Sequence, residues 1–206
     1  MNAPGARAFS RLVAEARACT LCEKDLPHAP RPVFRVARGA PILVVGQAPG
    51  RRVHETGVPW NDASGERLRD WLGVDAAAFY DASRFAILPA GLCFPGTDRG
   101  KGDRPPIARC APTWHPRFEP FLAPSLRLRV YVGAYAIAVG LPGERGRAVE
   151  AVVAEWRRHL AAGRVPLPHP SPRNRLWLRR RPWVERELVP ALRAEVARIL
   201  ATRLAC

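Results

Sequence analysis

Apolar positions fall into runs of two kinds along this chain. The continuous apolar stretch Ala40–Val45 (APILVV) predicts a strand buried on both faces, as in a parallel sheet, and Phe85–Leu88, Leu128–Val132 (LRVYV) and Val165–Pro168 predict three further strands. Helical spacing predicts an N-terminal helix over Ser10–Ala18, with Leu12, Val13, Ala16 and Ala18 inward. Ser64 at a cap position, with Glu66 and Arg67 behind it, starts a second helix through Leu72. Ala134–Val139 opens a third, Val149–Leu160 is amphipathic with Val152, Val153, Trp156 and Leu160 inward, and a long tail runs from Trp183 to Leu204 with a kink near Pro190. Pro27–Pro32 reads as a connector. Pro89–Pro116, rich in Gly, Pro and charge, is too long for one and reads as a functional or cofactor-holding loop.

Strands alternating with helices predict an α/β protein, a three-layer α/β/α sandwich on a four-stranded, mostly parallel sheet, in one domain over residues 1–206. In such folds sites form at the carboxyl ends of strands, so the loops after the predicted strands are where chemistry is expected.

Composition then narrows the class. A hydrophobic fraction of 48% in 206 residues is that of a globular protein with a real core. No apolar stretch approaches the roughly 18 residues of a membrane span, and the first residues lack a secretory core, so a cytoplasmic protein is expected. The formal charge of +15 rests almost wholly on arginine, dense from Arg173 through Arg175, Arg179, Arg180 and Arg181. Arginine's planar fork of donors suits phosphate, so a polyanionic partner is expected, although codon bias alone would also favour arginine over lysine. Five cysteines in such a chain make a poor disulfide framework and a better ligand set. Cys19 and Cys22 form a C-x-x-C after the first helix, and Cys93 and Cys110 follow with sixteen residues between them; Cys206 is left over.

Two post-strand loops carry unusual sequences. One is Gly46-Gln47-Ala48-Pro49-Gly50, continuing through His54 and Glu55 to Thr56-Gly57-Val58-Pro59-Trp60; the other is His169-Pro170-Ser171-Pro172-Arg173-Asn174. Together, and in this order, they resemble motifs A and B of the uracil-DNA glycosylase superfamily. The cysteine pattern makes the resemblance closest to its family 4, over roughly Cys19 to Leu192.

The resemblance implies a uracil-DNA glycosylase-like fold and an enzyme that flips a damaged base from DNA and hydrolyses its N-glycosidic bond. It implies a four-iron four-sulfur cluster on Cys19, Cys22, Cys93 and Cys110, although four thiolates also suit zinc. No nucleotide cofactor is expected. Trp60, where relatives carry Phe, would stack on the flipped base. His169 would donate to the departing base oxygen. Ser171 would grip a phosphate, Arg173 would reach toward the gap left in the helix, and Asn174, Arg179 and Arg180 would contact the DNA backbone.

Departures from the family pattern touch the pocket. Ala48 stands where the best-known relatives place an acid, as it does in family 4, and Gln47 matches the glutamine of family 1. His54, Glu55 and Asp62 are left as the polar residues that could position water. Pro89 occupies the place of family 4's base-reading asparagine, leaving backbone groups after it as possible base contacts. Uracil is the expected base because the rest of the pocket matches, with hypoxanthine, xanthine and an oxidised pyrimidine as alternatives. A non-catalytic DNA-binding module on the same fold is the alternative function.

Overall fold

Ile42, Leu43, Val44 and Val45 form β1 (Ile42–Val45), all four buried, in the computed structural model, which describes residues 5–98 and 102–202. An apolar strand with no polar face must be covered on both sides. It pairs in parallel with β2 (Phe85–Ile87) on one edge and β5 (Leu128–Val132) on the other; β6 (Arg164–Leu167) completes the order β2-β1-β5-β6. Val44 lies opposite Ile87 and Val130, and Val130 opposite Val165, so branched side chains stack across the sheet. β6 is an edge strand and therefore tolerates Pro166.

Helices cover both faces. Between β1 and β2 run α2 (Arg51–Thr56), α3 (Ala63–Leu72) and α4 (Ala76–Tyr80). A hairpin of β3 (Thr97–Asp98) and β4 (Gly102–Asp103), then α5 (Cys110–Leu122), lead to β5. α6 (Ala134–Gly140), α7 (Val149–Ala154) and α8 (Trp156–Ala161) connect β5 to β6, and α9 (Arg175–Arg179) and α10 (Val189–Ala201) close the chain. The N-terminal helix, α1 (Ala6–Arg17), packs on α5, where Phe9 meets Phe118 and Phe121; α10 packs on α3. Among the described residues no helix is long and apolar enough to cross a membrane.

All four strands and the sandwich were legible; the helix ends were not. α1 begins before Ser10 and buries Leu12 and Ala16, while Ala18 is its exposed C-cap. Asp62, not Ser64, caps α3, its side chain accepting from the Gly65 N–H at 2.8 Å. The long loop ends at Arg109, because Trp114, Phe118 and Leu122 bury one stripe of α5 and outweigh Pro116 and Pro120 within it. The helix over Val149–Leu160 breaks at Glu155, whose carboxylate is drawn to Arg147 and Arg158, and Leu160 is only half-buried. The kink at Pro190 is a π-helical turn, Val184–Leu188, before α10. A proline nitrogen cannot donate to the preceding turn, and a widened turn accommodates it. Leu204 and Cys206 lie outside the described residues.

Candidate active site

β1 and β5 are neighbours, yet the chain leaves β1 toward β2 on the opposite edge. Such a switch of direction opens a crevice above the carboxyl ends of the strands. A cavity of about 480 Å³ lies at that end, walled by the loops after β1 (Gly46–Gly50), β2 (Pro89) and β6 (His169–Asn174). Its size is within the usual range for a small-molecule pocket.

Trp60 forms one side. Its φ of 57° makes it the only non-glycine residue among those described in the left-handed region, a conformation costing roughly 1–2 kcal/mol. Its carbonyl accepts from Arg69 at 3.2 Å and from the Tyr80 hydroxyl at 3.3 Å. Two glycines make room: a Cβ on Gly65 would collide with that carbonyl, and one on Gly46 would lie 2.7 Å from the indole. The surroundings thus hold Trp60 in a strained pose with its ring on the cavity wall.

His169 stands opposite, its ring centroid 5.8 Å from that of Trp60. The position that a Cβ on Gly133, just after β5, would take lies 3.5 Å from its ring. Asn174 donates to the His169 carbonyl at 2.8 Å, and Ser171 Oγ accepts from the Arg173 N–H at 3.3 Å, so the loop is braced from within. Burial pushes the imidazole below its ordinary pKa, against an opposing pull from Asp62 and Asp103, and keeps it neutral at neutral pH. Nδ1 is buried without a partner. Nε2 is the ring nitrogen left to meet a bound molecule.

Gln47 donates from Nε2 to the Arg104 carbonyl at 3.0 Å, which fixes its amide across the cavity loops and leaves the side-chain oxygen as an acceptor. Ala48 and Pro89 also line the cavity. The Pro89 carbonyl is paired with His115 Nε2 at 3.0 Å. The next two backbone donors are engaged, Ala90 N–H with Gly46 and Gly91 N–H with Gln47, at 2.9 and 2.8 Å. These two N–H groups are therefore not free to read a base; pairing of this turn with the loop after β1 takes them up.

Of the other expected residues, Asp62, Ser171, Arg173 and Asn174 reach the cavity wall, and His54 and Glu55 do not. His54 packs against His28, with ring centroids 4.1 Å apart, and burial lowers its pKa; Glu55 is exposed on α2. Arg179 and Arg180 are exposed at the end of α9 and, with Arg173, make no ion pair among the described residues. Arg181 differs: it pairs with Glu150 and stacks on Trp177. Sequence reasoning missed two residues. Asp103, on β4, carries a carboxylate on the cavity wall, and His115, half-buried on α5, holds Pro89. Neither sits in a motif, and only the hairpin and α5 bring them to the site.

The four cysteines come together at a second, small cavity of about 20 Å³ beneath the loop that follows β2. All four are free thiols. Leu92 N–H donates to Cys110 Sγ at 3.2 Å, and an Arg31 backbone group bonds to Cys93. Arg109 binds the Leu21 carbonyl and Asp25, tying the start of α5 to the C-x-x-C turn. Burial pushes Cys93 up to about 12 and Cys110 up to about 11, and raises Cys22. Four half-buried thiols gathered in one place are a donor set that could hold a metal.

A parallel α/β sandwich with a Trp–His cavity at its switch point and a cysteine cluster alongside defines a class of pocket-bearing α/β proteins. Within it, residues 34–193 match the family described as the Uracil DNA glycosylase superfamily, and the chain belongs to that superfamily. The match spans all three cavity loops, with Cys93 and Cys110, and begins after Cys19 and Cys22.

Proposed function

We propose that this protein is a DNA glycosylase of base-excision repair, acting in the cytoplasm, that draws a damaged nucleotide, uracil foremost, into the 480 Å³ cavity and hydrolyses the bond between base and deoxyribose. One observation carries the reading: an aromatic ring held in a strained pose faces a neutral, half-buried histidine across one cavity. A stacked base is out of reach of any enzyme, so the nucleotide must be extruded. Trp60 stacks on it, a contact worth about 1–3 kcal/mol. As the C1′–N bond breaks, negative charge collects on the base, and the Nε2–H of His169 donates to its oxygen; a donor of this kind contributes about 3–4 kcal/mol to the transition state. Gln47 offers an acceptor to the base edge. Ser171 and Arg173 hold phosphate, and Arg179 and Arg180 follow the backbone beyond. The test is a base-release screen with oligonucleotides bearing uracil, hypoxanthine, xanthine or hydroxymethyluracil. Release of one base supports the reading; binding without release from any of them replaces it with a DNA-binding module.

Cys19, Cys22, Cys93 and Cys110 would hold a four-iron four-sulfur cluster. The cluster would supply a structural cross-link between α1, the loop after β2 and α5. Protein purified without oxygen is expected to be brown and to contain iron and sulfide. Zinc alone would replace the cluster with a zinc site, and no metal would remove both.

A further inference from the structure

We propose that Arg109 is the positioning residue of the cysteine site, holding the C-x-x-C pair in register with Cys93 and Cys110 and setting the charge at the edge of a bound cluster. This role rests on the cluster reading given above. Among the described residues that wall the cysteine cavity, Arg109 alone is charged. Four thiolates around an iron-sulfur core leave net negative charge, and net charge is one means by which a protein sets the reduction potential of such a cluster.

The two halves of the ligand set are held differently. Backbone groups bond to the sulfurs of the inner pair, Leu92 N–H to Cys110 at 3.2 Å and an Arg31 group to Cys93. Cys19 and Cys22 receive no such bond among the described residues, and their turn is tied to α5 through Arg109. Arg109 immediately precedes Cys110, and the N–H and hydroxyl of Thr113 donate to its carbonyl at 3.2 and 2.7 Å, so its backbone is fixed at the first turn of α5. From there the guanidinium forks. Nη1 donates to the Leu21 carbonyl at 3.1 Å, between the two cysteines of the C-x-x-C, and Nη2 meets Asp25 at 3.0 Å. The same charge opposes the rise that burial imposes on the Cys22 thiol.

The fork and the charge can be separated. Both partners of the Arg109–Asp25 pair are exposed, and exposed pairs add little to folding, so loss of Arg109 should be felt at the metal rather than in the fold. Arg117 supplies the comparison. It also bridges α1 and α5, through two hydrogen bonds to Glu15, yet it lies off the wall of the cysteine cavity.

Full-length protein purified without oxygen is to be compared with Arg109→Gln, Arg109→Lys and Arg117→Gln for iron and sulfide content, rate of iron release to excess chelator, and reduction midpoint. Arg109→Gln is expected to release iron about tenfold faster, the usual scale for losing a group that orients metal ligands. Its midpoint should fall, because a lost cation disfavours the added electron. Arg109→Lys keeps the charge but not the fork, so it should release iron faster with a midpoint near that of the parent. Arg117→Gln should match the parent in both measurements. An unchanged release rate or an unmoved midpoint in Arg109→Gln, or the same changes in Arg117→Gln, overturns the assignment and leaves Arg109 an ordinary surface tie. Where Arg109→Gln cannot be loaded, parental release from Arg109→Lys overturns it equally. If the parent itself carries no iron and sulfide, the cluster reading falls and the role of Arg109 with it, whereas a loaded parent with unaltered Arg109 variants removes that role alone.

Discussion

The indole of Trp60 and the imidazole of His169 face each other with ring centroids 5.8 Å apart and planes inclined by 33°. In the proposed reaction the two rings would meet the same bound base in different roles, one through its face and one through a polar edge. His169 would donate chiefly as the base leaves, so its loss is expected to lower rate rather than affinity. His169→Ala should cleave about a hundredfold more slowly in a single turnover and bind damaged DNA within a few-fold of the parent. Cleavage at the parental rate would remove His169 from the chemistry.

Trp60 combines a stacking surface with a strained backbone, and the two can be separated. Trp60→Ala keeps a Cβ at φ 57° and loses the ring; Trp60→Gly loses the ring and relieves the strain. Both variants should weaken binding and cleavage, but Trp60→Gly should be the more stable by about 1 kcal/mol in urea unfolding. Equal stabilities would show that the left-handed pose carries no strain.

Acid should destabilise the fold in two stages. Burial lowers the pKa of His54, His115, His159 and His169 from 6.5. The unfolded chain therefore takes up protons at these sites before the native state does, and stability falls once pH drops below 6.5. Glu15, Glu144, Glu150, Glu155 and Glu195 are held below 4.5 by hydrogen-bonded arginines, so their contribution is present above 4.5 and is lost at lower pH. Thermal unfolding at matched metal content should show a lower midpoint at pH 5.5 than at 7.5. A midpoint constant across that window would mean that the histidines charge freely in the native protein.

Arg179 and Arg180 lie exposed just beyond the loop that carries His169, clear of carboxylates among the described residues. Each phosphate that they neutralise releases counterions. Replacing both with Ala should reduce the slope of log affinity against log salt by about one to two, leaving single-turnover cleavage at saturating protein unchanged. An unaltered slope would place the DNA path elsewhere.

What the sequence determined was whatever nearest neighbours along the chain determine. A run such as Ile42–Val45 has no polar face, so a doubly covered parallel strand followed wherever such a run occurred. Residues in the turns just after those strands, Gln47, Ala48, Pro89 and His169, were bound to share one end of the sheet, and they line one cavity. Where helices begin and end was decided by packing. Pro116 and Pro120 argue locally for a loop, yet the stripe Trp114–Phe118–Leu122 finds a core to cover and continues the helix. Only the tertiary structure could show that His54 and Glu55 lie off the cavity wall while their neighbour Val53 lines it. It alone took up the N–H groups of Ala90 and Gly91, and it alone brought Asp103 in on a hairpin latched by Gln47 and Arg104, residues more than fifty positions apart. Local pattern fixes which atoms a segment can offer; contacts between distant segments decide which of those atoms are still free.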